Sequence, residues 1–494
     1  MGDTSARTAT RSAAVAAGTA VILAGGPFPG PLAGTAQAAA PTVAPAVAPP
    51  GGPGSSGVGD PYYPEQGNGG YDVSHYALKL KYRPATDRLD GTATVTARAT
   101  QALTRFNLDF GLKVTGVTVN GRRAAFRAAG AHELVITPAR PLRKGQRVTT
   151  VVSYGDTPGK VRIGGDTNWH RSPDGGAVVA NQPQSAWWWF PSNDHPTDKA
   201  TYDVSVTVPN GYQAISNGRA AGTRRARGWT RYDWRERRPQ ASYLATLAVG
   251  KFDITATRAS NGLPVVNAYS RDLPADVRRN AQRSLERSAE IVDWGAKLFG
   301  PYPFDALGGY VPNIKVGYAL ETQTRPFYSP AFFLQGTHVE VVVHELAHQW
   351  FGNSVSVRTW RDIWLNEGFA TYAEWLWSEQ HGGESAQGWA DRVYGQYAAN
   401  TKFWQVKPGD PGAAKLFHAA VYYRGALAVH ALRVAVGDRD FYRIARTWTA
   451  AKRDHNATIE EFIAHAERTS GERLDEVFRT WLFTADRPAA PPGH

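Results

Sequence analysis

The chain has no cysteine, which removes disulfides and thiolate metal ligands from consideration. Its one methionine is Met1, so a chain processed behind the N-terminus holds no sulfur and offers nothing to thiol or thioether oxidation. Long blocks of like charge are also missing. The net charge is +12, but the arginines are scattered, and a scattered basic surface reads as a solvated face with no nucleic-acid partner. No apolar run is long and bulky enough to read as a membrane span. What is present is 494 residues with 42% apolar and 20% charged content, the composition of a globular protein with a sizeable core.

The N-terminus carries an export pattern. Arg7 and Arg11 precede the apolar stretch Ser12 to Ala24, and Ala36-Gln37-Ala38 offers a small-residue cleavage site. Residues 1–38 are therefore expected to be a secretory signal peptide. The mature protein is then secreted, or loosely associated with the cell envelope, with no stable membrane insertion after cleavage. Residues 39–66, rich in Ala, Pro and Gly, are expected to form a disordered linker.

From Tyr71 the apolar period is two. Tyr76, Leu78, Leu80 and Tyr82 alternate with Ala77, Lys79 and Lys81, and Ala93, Val95, Ala97 and Ala99 alternate with threonines and Arg98. Asp90-Gly91 and Asn120-Gly121 are tight-turn signals. Residues 67–252 are expected to form an antiparallel β domain. Trp187, Trp188 and Trp189 inside it could stack carbohydrate or pack an interface, and the large area of tryptophan favours packing.

Beyond Phe252 the period becomes helical. Pro274 to Phe299 reads as one amphipathic helix, Lys315 to Pro326 as an edge strand carrying Glu321, and Ala419 to Arg433 as a helix opening on Tyr422 and Tyr423. Residues 485–494 form a proline-rich tail. Between these elements stands Val341-Val-Val-His-Glu-Leu-Ala-His348. Two histidines four apart on a helix project from one face, and His344 and His348 can reach one zinc ion with Glu345 beside it as a base. Thr337 to Glu340 reads as a capping box for this helix, and Gly352 as its stop. A buried helix whose histidines are satisfied by carbonyls would carry the same residues, so a third ligand decides. Position 354, where a third histidine could stand, is Ser354. A second helical pattern from Asp362 carries Glu367, and a carboxylate on an antiparallel helix can close a His2Glu site and leave one position to water.

His344-Glu-Leu-Ala-His-Gln-Trp-Phe-Gly-Asn353, followed by Trp364-Leu-Asn-Glu-Gly-Phe-Ala-Thr-Tyr372, resembles the aminopeptidase N family of zinc metallopeptidases, the gluzincin aminopeptidases. The resemblance runs from about Gly67 to Phe483. It implies an α+β protein, with the N-terminal β domain followed by a thermolysin-like, mainly α-helical catalytic domain over 253–484. It also implies one Zn2+ per chain on His344, His348 and Glu367, and peptide substrates with a free N-terminus. Gly317-Tyr-Ala-Leu-Glu321-Thr is similar to the family's strand whose glutamate binds the substrate α-amine, although Tyr318 is inserted and Thr322 replaces asparagine. Counting back from Pro191 puts the family's polar helper at Gln182, with Gln184 as the alternative. Tyr422-Tyr-Arg-Gly425 is similar to a motif whose first tyrosine is catalytic, with Arg424 in place of lysine. Larger relatives continue into a long helical domain, so a more open active site is expected here.

Two other readings stay in view. One is an endopeptidase, or a hydrolase of another amide or an epoxide, built on the same metal chemistry. The other is a non-catalytic envelope-binding protein using the tryptophan-rich domain and the basic surface.

Overall fold

A computed structural model describes residues 51–493 except Gly164, Asp166 and Ser185. The expected signal peptide and residues 39–50 of the expected linker lie outside the described residues.

The β domain is built on an eight-stranded sheet with strand order 219–226, 229–240, 200–209, 71–83, 88–99, 147–156, 114–119 and 122–123. The period-two pattern fixes its register: Tyr76 faces Val95 and Leu78 faces Ala93, all four buried. One pairing departs from the expected antiparallel sheet. Strand 71–83 runs parallel to 200–209, a distinction that alternation cannot signal. Asn120-Gly121 turns as expected, with φ of 50° and 75°. Asp90-Gly91 does not; both lie inside strand 88–99, where a side chain at Gly91 would collide with the Tyr154 ring. The three tryptophans are buried, so they pack.

A five-stranded mixed sheet, order 252–258, 264–270, 307–311, 327–328 and 319–320, stands between two apolar cores. Its alternation serves both. Ala268, Tyr310, Leu320 and Phe327 face the β-domain core, while Val265, Tyr269, Leu307, Val311 and Tyr328 face the helical core. Strand 319–320 is the outer edge and leads directly into Glu321.

The α-helices of five residues or more among the described residues are α1 (Ala275–Leu285), α2 (Ser288–Phe299), α3 (Val339–Ala347), α4 (Trp364–Gln380), α5 (Ala386–Gln396), α6 (Thr401–Gln405), α7 (Ala419–Ala451) and α8 (Ile459–Ser470). The single helix expected over 274–299 is thus two. At the break, Ser288 Oγ donates to the Leu285 carbonyl at 2.6 Å, a local bond that competes with the helical ladder. The capping box expected at Thr337 is also absent. Helix α3 starts after His338, whose backbone N–H donates to Ser284 Oγ of α1 at 3.0 Å. Capping boxes form instead at Thr359 and Asp362, in the turn that opens α4, and at Thr458 and Glu461, at the start of α8. Helix α7 breaks at Gly437, where φ is 74°.

Gly368 of α4 and Gly425 of α7 face each other across the helix crossing. A Cβ on Gly425 would lie 3.2 Å from the Gly368 Cα, so only glycine lets these backbones approach this closely. Trp364 Nε1 donates to the Gly425 carbonyl at 2.9 Å and locks the crossing. Next to it, the fully buried Arg424 guanidinium donates to the carbonyls of Trp404, Val406, Thr480, Trp481 and Thr484, tying α7 to the end of α6 and to the C-terminal segment.

Residues 51–66 are not a linker. Asp60 is buried, and its carboxylate accepts from the backbone N–H of Tyr62, Tyr63 and Trp360 and meets His195 Nε2 at 3.2 Å. The Gln66 side chain accepts from Trp360 Nε1 and donates to Gln184 Oε1. The tail also packs: Tyr394 and Gln387 of α5 donate to the carbonyls of Pro488 and Pro492.

Candidate active site

Helix α3 presents His344, Glu345 and His348 to the side of α4 that carries Glu367. His344 Nε2 and His348 Nε2 each lie 3.4 Å from Glu367 Oε2. The other ring nitrogens are held from behind. His344 Nδ1 lies 2.6 Å from Glu374 Oε1, and His348 Nδ1 lies 3.0 Å from the Phe351 carbonyl. Both partners are acceptors, so each ring turns its Nε2 lone pair inward.

Glu374 was not found by sequence reasoning. Its signal was its place seven residues after Glu367, two turns along the same face of α4. Gln349 and Asn353 were missed as well. Gln349 Nε2 and Asn353 Nδ2 donate to the Glu321 carbonyl at 3.2 and 2.7 Å, and Gln349 Oε1 accepts from the Thr324 N–H at 2.9 Å. The segment that carries the histidines therefore also anchors the strand that delivers Glu321. From the β domain, Lys199 Nζ donates to the Asn353 and Ser354 carbonyls and fixes the far end of that segment.

Glu321 is buried, and its Oε1 accepts from Gln182 Nε2 at 3.2 Å. Gln182 lines the site cavity, whereas the Gln184 side chain points to Gln66, so the geometry separates the two candidates. Tyr422, in the first turn of α7, stacks on His344 with ring centroids 6.1 Å apart and planes at 21°. Tyr423, its neighbour, packs on Tyr397. These groups share one cavity of about 330 Å³, lined also by Tyr318, Phe332, His338 and Val341. Larger depressions occur elsewhere, such as one along Pro138 to Gln146, but they gather no comparable set of titratable groups.

The electrostatics ask for a cation. Burial opposes charging of both histidines, yet Glu367 and Glu374 raise His344 well above the ordinary imidazole value, and Glu367 and Glu321 raise His348. Burial likewise works against an ionised Glu367, but His348 and His344 hold its carboxyl below the usual range. Burial pushes Glu345 up to about 8, against the pull of both histidines. One Glu345 oxygen, Oε2, is buried without a hydrogen-bond partner. Two ligands each about 2.1 Å from a tetrahedral ion stand about 3.4 Å apart, the spacing found between each histidine and Glu367. The donor set, its spacing and the orphaned carboxylate oxygen all fit zinc.

Comparison with known proteins gave two family matches. Residues 72–244 match the model of the peptidase M1 N-terminal domain, and residues 333–481 match that of the peptidase family M1 domain. Aminopeptidase M1 of Arabidopsis thaliana is 28% identical over 327 residues, covering 62% of this chain and 36% of the relative. Glutamyl aminopeptidase of Homo sapiens is 33% identical over 215 residues, covering 40% of this chain and 22% of the relative. The chain thus spans about a third or less of the length of these curated relatives. Among solved structures, a variant of an M1 zinc metallopeptidase from Deinococcus radiodurans, bound to a Tyr-Ser-Ala substrate, superposes with a TM-score of 0.80. It is 29% identical, and the match covers 89% of this chain and 99% of that one.

Proposed function

The chain belongs to peptidase family M1, and from that premise we propose that it is a zinc-dependent aminopeptidase that hydrolyses the first peptide bond of peptides with a free N-terminus. One observation carries the proposal: a His2Glu set, a free carboxylate beside it and a second buried carboxylate converge on one cavity. The tripeptide bound by the Deinococcus radiodurans relative supports the substrate class.

In this reading His344, His348 and Glu367 hold the ion, which supplies Lewis-acid chemistry when bound. Glu345 takes the proton of the attacking water and passes it to the leaving amine. Glu345, pushed up to about 8 by burial, would be ionised at neutral pH beside such an ion. The Tyr422 hydroxyl donates to the oxyanion as charge develops on the scissile carbonyl. Glu321 pairs with the substrate α-ammonium, with Gln182 orienting its Oε1, and this ion pair sets the first peptide bond against Glu345. A blocked or internal amine leaves Glu321 desolvated and unpaired, which is why a free N-terminus is required. The N-terminal pattern from Arg7 to Ala38 supports export of the enzyme from the cell.

The test is Glu345→Gln. The variant is expected to keep its zinc and lose activity by about 10²–10⁴-fold. A zinc-loaded variant with full activity would remove Glu345 as the base.

A further inference from the structure

A second group of metal-type ligands lies in the β domain, outside the site described above. Asp109 ends strand 103–109, and Glu133 begins strand 133–137; the two are directly opposed partners of one antiparallel pair. Both are buried. Like charges opposed across a ladder repel, and in a dry setting the repulsion is large unless something positive stands between them. His132, also buried, completes the group: its Nε2 lies 3.4 Å from Asp109 Oδ1, and one ligand atom from each of the three residues lies within 4.8 Å of the others.

The hydrogen bonds leave the inward carboxylate oxygens unused. Asp109 Oδ2 is saturated by Asn68 Nδ2 at 3.0 Å and the Asp194 N–H at 2.8 Å, whereas Asp109 Oδ1 has no hydrogen-bond partner. Neither oxygen of Glu133 makes a hydrogen bond of ordinary geometry, with the Asn107 side chain alongside, although the residue is only 9% exposed. A native structure leaves few buried carboxylate oxygens in this condition, and an ion is one explanation when they point at one another. His132 Nε2 donates to the Glu65 carbonyl at 3.2 Å, and binding an ion at Nε2 displaces that proton.

We propose that Asp109, His132 and Glu133 bind a divalent transition-metal ion in the β domain. Two carboxylates neutralise a divalent charge. The imidazole nitrogen favours Zn2+ over Ca2+ and Mg2+, which prefer oxygen alone, and the two carboxylates also admit Mn2+. The 3.4 Å between His132 Nε2 and Asp109 Oδ1 is the tetrahedral ligand spacing seen at the catalytic group. Such an ion would join the ends of strands 103–109 and 133–137 and replace a repulsive pair by a cross-link.

The experiment is metal counting on the full-length chain. The wild type, Glu133→Gln and His132→Gln are stripped with chelator, loaded with Zn2+ or, separately, Mn2+, desalted and analysed by mass spectrometry of the elements. The wild type is expected to retain one equivalent more than either variant, with aminopeptidase activity unchanged in both. Equal metal content in all three overturns the proposal, whatever the catalytic equivalent proves to be. If a variant does not fold, wild-type crystals measured at the zinc edge decide. An anomalous peak among the three side chains is expected, and its absence from zinc-loaded crystals is contrary to the proposal.

Discussion

Glu374 decides which nitrogen of His344 is free, because a carboxylate at 2.6 Å from Nδ1 keeps the proton there. Replacing it with leucine is expected to weaken zinc binding by about 10- to 100-fold, read by competition with a chromogenic chelator. An unchanged zinc affinity would show that the ring holds its orientation without help. Tyr422→Phe removes one hydroxyl and little else, since the ring stays stacked on His344. The expected loss is about 10²–10³ in kcat with KM little altered, in steady-state kinetics. A loss confined to KM would make Tyr422 a binding residue. At this scale much could be read in advance. His344, Glu345, His348 and Glu367, which the structure brings to one cavity, could be picked out from their spacing on two helices. Glu374, Gln349 and Asn353 stayed hidden because holding a ligand or a strand in place demands no particular residue type.

Elements are held in place by what fits between them. The α4–α7 crossing sets Tyr422 against His344, and it depends on Gly368 and Gly425. Gly425→Val is expected to destabilise the fold by about 1–3 kcal/mol and to lower kcat with it, measured by denaturant unfolding and kinetics on one preparation. The crossing further along α7 carries a pH dependence. His430 is buried; the Gln387 Oε1 acceptor at 3.0 Å puts the proton on its Nε2, and the Tyr372 hydroxyl at 2.9 Å then donates to Nδ1. Burial, aided by Arg433, pushes its pKa down to about 4. Because the folded value lies below the unfolded value of about 6.5, the unfolded chain binds the proton first. Stability is therefore complete above pH of about 6.5 and falls towards pH of about 4, by up to about 3 kcal/mol. Thermal melts of wild type and His430→Gln across that range test it; parallel curves would remove His430 as the cause. The misread elements have local causes. The break before Ser288 and the start of α3 both turn on serine hydroxyls, which composition does not order.

For the whole molecule, the segment before the β domain shows how far composition misleads. Gly and Pro in residues 51–66 suggested a linker, yet Asp60 joins that segment to His195 and, with Gln66, to the turn that opens α4. Asp60→Ala strands a buried histidine and several N–H groups, so a loss of about 2–4 kcal/mol is expected in equilibrium unfolding. A change within error would make the segment a passive cover. The two-part architecture was legible because the apolar period switches from two to helical near Phe252. The parallel pairing of 71–83 with 200–209 was not, since long-range pairing leaves no local trace. The site as a whole joins both parts: Gln182 and Lys199 reach it from the β domain, and Glu321 from the sheet between the cores. In the proposed reading Glu321 reads a free amine while the metal group does the hydrolysis. The direct measurement compares matched aminoacyl anilides, free and N-acetylated, with and without chelator. Cleavage of the free-amine set alone, abolished by chelator and restored by Zn2+, is the predicted result. Equal cleavage of both sets would contradict it.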